Sequence, residues 1–230
     1  EPMENRALIA LQGPAAATVL ERHAPDATRL KFMSSAAIPV MGFACIVSRC
    51  GYTGEDGFEI SLAGNDAPAL AAALLGEPEV APVGLGARDS LRLEAGLCLY
   101  GQDIDTTTSP LEAGLGWSIG KRRRAEGGFP GDAVIRRQFA QGVARKRVGL
   151  RPDGRAPARA QTAIQDKDGQ HIGSVTSGGF APTLSAPISM GYVRAELAAT
   201  GTPVDLMGRG KAMAARVVAM PFTPARYHRG

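Results

Sequence analysis

From about Arg145 onward the chain is a succession of short apolar runs separated by turn residues, and that texture limits its second half to few folds. Val148–Leu150, Thr162–Gln165, His171–Thr176, Ile188–Val193, Val204–Met207 and Met213–Val218 each have the length and composition of a strand. Asp168-Gly169 is a strong hairpin signal, and Gly208-Arg209-Gly210 marks another turn. Many short strands at this spacing predict a small antiparallel barrel or sandwich. The first half reads differently. Ala7–Gln12 is strand-like and is broken by Gly13-Pro14, after which Ala15–His23 is helix-like with Val19 and Leu20 on its apolar side. Pro39–Ser48 predicts a strand, and Asn65 or Asp66 can cap a helix to about Leu75 with Pro68 in its first turn. Strand, helix, strand, strand, helix predicts an α+β layer, not a continuous parallel wind. The texture changes between Arg136 and Arg145, so the expected domains are 1–140 and 141–230.

Within the first half, Arg49-Cys50-Gly51-Tyr52-Thr53-Gly54-Glu55-Asp56-Gly57 forms a glycine-rich loop between strand-like flanks. Beyond it Phe58, Ile60 and Leu62 alternate with Glu59 and Ser61, the period of a strand with one buried face. Glu59 therefore points away from the apolar core. It faces either water or a polar cavity, where a carboxylate can accept two N–H groups from a heterocycle. In Gly84–Leu97, Ala87, Leu91 and Ala95 repeat every four residues and predict a helix packed on that face. Arg88 and Arg92 share another face, and Asp89 can pair with Arg92 at three residues' spacing. Arg88 is then the unneutralised charge, on a solvated face or at an anion site. Leu99–Trp117, with its acids and hydroxyls, reads as an ordered loop. Lys121-Arg122-Arg123-Arg124 is a solvated basic surface or a dock for an acidic partner.

Composition removes several functions. Aromatic residues make up 5% of the chain, too few for stacking platforms along single-stranded nucleic acid. The net charge of +4 is mild, no apolar run reaches the roughly 18–20 residues of a membrane helix, and no signal-peptide pattern is present. Cys45, Cys50 and Cys98 lack metal-ligand spacing and read as reduced thiols in a cytosol-like compartment. His23, His171 and His228 fall in no metal or triad motif, and no phosphate loop, dinucleotide fingerprint or nucleophile elbow occurs. Gly178-Gly179 follows a strand but is only a weak phosphate cradle.

Taken together, these stretches resemble the aminomethyltransferase (T protein) family of the glycine cleavage system. The resemblance rests on Ala10-Leu11-Gln12-Gly13-Pro14, Arg49–Ile60, Gly86–Tyr100, Thr107–Gly116, Arg147–Leu150, Ile172–Gly178, Met190–Val193 and Pro221-Phe222, in order along nearly the whole chain. Lys121–Arg124 followed by Phe129-Pro130-Gly131 is similar to the mitochondrial-type branch. It implies a ferredoxin-like part of a cloverleaf folate-binding layer followed by a small antiparallel β-barrel. It also implies transfer of a methylene group from an aminomethyl-lipoyl carrier, the acidic H protein, to tetrahydrofolate, with release of ammonia. The pterin-binding carboxylate of the family falls on Glu59, its substrate-binding arginine on Arg88 and a tyrosine near the carboxy end on Tyr227. The family's chain is longer at its amino end, where its catalytic aspartate lies; neither Asp56 nor Asp103 sits in that motif, and the 230 residues alone are expected to have negligible transfer activity. Lys121, Arg122, Arg123 and Arg124 are the expected contacts to the carrier. Rival readings are the folate-binding end of a sarcosine or dimethylglycine dehydrogenase, a non-enzymatic folate-binding iron–sulfur assembly factor, and a non-catalytic remnant that binds a protein. The Ala- and Arg-rich composition suggests a bacterial cytosol, with a mitochondrial matrix as the other setting.

Overall fold

The structure is a computed structural model and describes residues 3–208 and 210–230. It divides into two compact units, one running to Arg92 and taking up Pro224–Gly230, the other comprising Leu93–Thr223.

The first unit contains β1 (Arg6–Gln12), α1 (Ala16–His23), β2 (Ser34–Ala37), β3 (Ile46–Arg49), β4 (Gly57–Ala63), α2 (Ala67–Leu75) and most of α3 (Leu85–Glu94). Its strands form one antiparallel sheet in the order β1-β4-β3-β2. Register sets Leu11 opposite Phe58 and Ile9 opposite Ile60. The apolar members of that alternation join Val19 and Leu20 of α1 and Leu70 and Leu74 of α2 in one core. Truncating a fully buried leucine there, such as Leu62→Ala, removes about 3 kcal/mol through lost transfer energy and the cavity left behind. The other face of the sheet carries Leu8, Ala10, Glu59 and Ser61, none of them buried.

Two expectations for this unit are corrected. Pro39–Ser48 is not one strand but the tip and return arm of a hairpin. Val40 and Phe43 exchange backbone hydrogen bonds of 3.0 Å around Met41 (φ 51°) and Gly42 (φ 84°). Two successive positive φ angles are what a tight hairpin turn demands, and β2 pairs with β3 behind it. In α3 the Ala87 repeat does not define the packed face. Leu85 to Asp89 are all exposed, and burial begins only at Arg92 and Leu93.

The second unit opens with the loop from Leu99 and two short helices, α4 (Lys121–Glu126) and α5 (Asp132–Gln141). Asp103, 1% exposed, orders the loop by accepting the Leu99 N–H at 2.9 Å and the Ser177 hydroxyl at 2.9 Å, while its carbonyl accepts the Tyr192 hydroxyl at 2.7 Å. Asp105 accepts the Thr107 N–H and hydroxyl at 2.8 and 2.7 Å. Helix α5 was not legible in the sequence pattern, although Asp132 in its first turn and Gly131 and Gly142 at its ends are ordinary helix boundaries.

Then come β5 (Arg145–Pro152), β6 (Ala163–Gln165), β7 (His171–Ala181), β8 (Ala186–Arg194), β9 (Pro203–Gly208) and β10 (Lys211–Val218). They close an antiparallel barrel in the order β10-β5-β8-β7-β6-β9, so every predicted strand is present and the barrel, not the sandwich, is the outcome. Leu150, Ile164, Val175 and Leu206 fill its interior. The Asp168-Gly169 hairpin turns as predicted, with Asp166 accepting the N–H groups of Asp168 and Gln170 at 3.0 and 2.9 Å. The second predicted turn joins β9 to β10, but its Arg209 lies outside the described residues.

Candidate functional site

The glycine loop is braced from below by two side chains. Arg49, only 3% exposed, gives Nε and Nη2 to Asp56 at 3.0 and 2.5 Å and Nη1 to the carbonyls of Thr28 and Leu30 at 2.6 and 3.0 Å. Its guanidinium lies 5.1 Å from the Phe58 ring centroid. Burial pushes the Asp56 carboxyl up, but the hydrogen bonds and charge of Arg49 outweigh that and hold it below the ordinary carboxylate range. Gln12, at the end of β1, donates to the carbonyls of Cys50 at 3.0 Å and Phe58 at 3.2 Å, and its own carbonyl accepts the Thr53 hydroxyl at 3.3 Å. The glycines at 51 and 57 make room for that amide. A Cβ at Gly51 would sit 1.8 Å from the Gln12 oxygen, and one at Gly57 2.6 Å from its amide carbon.

A strap from the carboxy end covers the loop. The Arg226 N–H donates to the Gly54 carbonyl at 2.8 Å, and its guanidinium meets Glu55 at 3.2 Å. Tyr227 stacks on Phe32 with ring centroids 4.0 Å apart and planes 12° from parallel. Burial pushes its phenol pKa up.

Beside this loop lies a cavity of about 570 Å³, within the range of small-molecule sites. Its walls include Gln12, Tyr52, Thr53, Glu59, Arg88 and Leu91. Glu59 is half-buried and holds one hydrogen bond, from the Cys50 thiol to Oε2 at 3.4 Å. Arg88 lies with its guanidinium 4.9 Å from the Tyr52 ring centroid, a cation–π contact. Among the described residues neither charge has an ion-pair partner, although both line the same space. Asp89 takes Arg92 instead, at 2.7 Å, as its spacing predicts; Arg92 is buried, not on a solvated face. The structure thus brings Glu59 and Arg88 together. Tyr227 belongs to the strap and is not in the cavity wall.

Elsewhere the predicted features are more ordinary. In the basic run, Arg122 pairs with Glu126 at 2.9 Å, and Arg124 donates to the carbonyls of Ile119 and Gly116 and covers the Phe139 ring. Lys121 and Arg123 are the run's more open charges, on an exposed helix. The glycine at 178 serves close packing, since a Cβ there would sit 1.8 Å from the Ala158 carbonyl oxygen. His23 is held by Glu77 at 2.6 Å. The cysteines are free thiols, and among the described residues no cluster is placed to hold a metal ion and no helix is long and apolar enough to cross a membrane. A second groove, about 710 Å³, lies on the barrel between Arg151, Arg155, Phe180 and Arg216; its one carboxylate, Asp153, is paired with Arg216 at 3.1 Å. Sequence reasoning singled out neither Gln12, Cys50 nor Tyr52 as a working residue. The usable signal was the pair of glycines at 51 and 57 facing a strand that ends in a lone amide.

Residues 1–123 match the family model described as GCVT N-terminal domain, and residues 145–223 match the Glycine cleavage T-protein C-terminal barrel domain. The chain belongs to the glycine cleavage T-protein family. Among its relatives, "Aminomethyltransferase, mitochondrial" of Flaveria trinervia is 50% identical over 229 residues, covering 98% of this chain and 56% of the relative. The dog protein of the same name is 52% identical over 226 residues, covering 97% and 56%. A solved structure, the glycine cleavage system aminomethyltransferase T from Bartonella henselae, matches with a TM-score of 0.88 and 44% identity, covering 97% of this chain and 61% of that one. The chain spans about half the length of the curated relatives it matches. Their names speak for an aminomethyltransferase over a dehydrogenase end or an iron–sulfur factor. They also read mitochondrial, and give the expected bacterial cytosol no support.

Proposed function

We propose that this chain forms the folate-holding part of an aminomethyltransferase of the glycine cleavage system. One observation carries the reading: Glu59 and Arg88, opposite in charge, line one cavity without neutralising each other. Two unpaired charges in one concave, largely apolar site suit a ligand with a donor edge at one point and an anionic group at another. Reduced folate has both. Tetrahydrofolate, when bound, supplies the nitrogen nucleophile that accepts the one-carbon unit. Glu59 accepts the paired N–H groups of the pterin edge, and Arg88, steadied over Tyr52, binds an anionic portion of the substrate. Tyr227 is the third proposed folate contact, and its place on the strap next to the glycine loop supports a role near that site. No proton transfer is assigned to these residues; their part is binding and orientation.

The lipoyl H protein is the proposed carrier, docking on α4 through Lys121, Arg122, Arg123 and Arg124, with Lys121 and Arg123 the more available charges. A functional division at residues 140 and 141 separates the folate layer and carrier dock from the barrel. For compartment, the names of the relatives favour a mitochondrial matrix.

Titrating 5-formyltetrahydrofolate, a stable reduced folate, into the 230-residue chain tests the reading. Glu59→Ala removes charge-assisted hydrogen bonds and is expected to weaken binding roughly 10- to 100-fold. Equal affinity in the two proteins would refute the assignment of Glu59.

A further inference from the structure

We infer that Cys50 is a positioning residue for Glu59: its thiol fixes one carboxylate oxygen, Oε2, and so sets the plane in which the carboxylate meets a ligand in the cavity. This rests on the proposed ligand role of Glu59, but its geometry is separate. Cys50 follows β3, whose Ser48 is the register partner of Glu59, so the thiol comes from the neighbouring strand's extension. It is not carried on a loose loop. The Cys50 carbonyl is held by the Gln12 amide at 3.0 Å, and the next residue, Gly51, lies so close to Gln12 that no side chain fits between them. The sulfur thus hangs from a braced backbone, 3.4 Å from Oε2.

An S–H group is a weak donor, and its value here lies in direction. Glu59 has no cation and no second hydrogen bond to set its plane, so the thiol is the one group that orients it among the described residues. Donation needs the proton in place. Burial, then the charge of Glu59, then the hydrogen bond itself push the thiol pKa up to about 11, so near neutral pH the sulfur stays a donor and not a competing anion. Conversely, removing the negative charge of Glu59 makes the thiol more acidic, which gives a readout that needs no folate.

Two measurements test the inference. In the first, 5-formyltetrahydrofolate is titrated into wild type, Cys50→Ala, Cys50→Ser, Glu59→Ala and the double variant Glu59→Ala/Cys50→Ala. Cys50→Ala is expected to weaken binding about 3- to 10-fold, the range of one neutral hydrogen bond. Cys50→Ser keeps a donor and restores affinity, and in the Glu59→Ala background, where no acceptor is left for the thiol, Cys50→Ala has no further effect. In the second, the rate of iodoacetamide reaction at Cys50 is followed by peptide mass spectrometry near pH 8.5. Glu59→Gln is expected to raise that rate at least about threefold, because the thiolate fraction rises. If wild type binds no reduced folate, the folate reading falls and the alkylation rates alone decide the positioning role. Unchanged alkylation in Glu59→Gln overturns it. So does a wild type that binds folate no better than Cys50→Ala, or an equal loss from Cys50→Ala in both backgrounds.

Discussion

Arg49 carries a full charge into the interior of the sheet unit, and what it meets there explains why the glycine loop holds its shape. Its guanidinium is satisfied by Asp56 and by the carbonyls of Thr28 and Leu30, so the loop is closed on itself and tied to the chain that leads into β2. The folded pKa of Asp56 lies below its unfolded value of 3.8. Its stabilisation is therefore complete above that value and is lost as pH falls through the lower, folded one. Between about pH 5 and pH 2 the urea midpoint of wild type is expected to fall more steeply than that of Asp56→Asn, which lacks the titrating group. At neutral pH Asp56→Ala leaves a buried cation short of its counter-charge and is expected to cost about 3 kcal/mol, measurable by denaturant titration. Glu59 was legible because a period of two residues assigns each side chain to a face. Arg88 was legible by subtraction, once Asp89 had taken Arg92. The clasp of Gln12 on Cys50 was not, since it joins residues 38 positions apart and depends on how β1 and β4 register.

The elements differ in how much they owe to local signals. The barrel strands were readable because each is short, apolar and bounded by turn residues, and the Asp168-Gly169 hairpin carries its own local hydrogen bonds. The β2–β3 hairpin was hidden because Met41 takes a left-handed conformation that its residue type does not advertise. Within the barrel, β7 and β8 approach so closely at Gly173 that a Cβ would lie 1.8 Å from the Tyr192 carbonyl oxygen. That atom is backbone and cannot swing aside. Gly173→Ala is expected to cost about 3 kcal/mol or more and to lower the melting temperature, with soluble yield as a second readout. On α4, Lys121→Glu with Arg123→Glu is expected to weaken binding of the lipoyl carrier several-fold and to flatten its dependence on salt. Binding that keeps both its strength and its salt response would place the carrier elsewhere.

For the whole molecule, the sheet unit and the barrel unit give separable expectations. A ligand that binds only the folded state stabilises the unit that holds it. Hydrogen exchange with 5-formyltetrahydrofolate present is therefore expected to slow around β1, the glycine loop and β4, while the amides of β6 and β9 exchange as before. The 230 residues alone are expected to form no measurable methylenetetrahydrofolate from the loaded carrier, because no residue in them matches the motif of the family's aspartate. Steady turnover would overturn that. The strap also has a consequence for how the protein is made. Pro224–Gly230 belongs to the sheet unit, yet a ribosome reaches it only after all of the barrel. Within these residues the sheet unit is thus begun before the barrel and completed after it, and a nascent chain halted at Thr223 would carry a complete barrel and a glycine loop still missing its clamp.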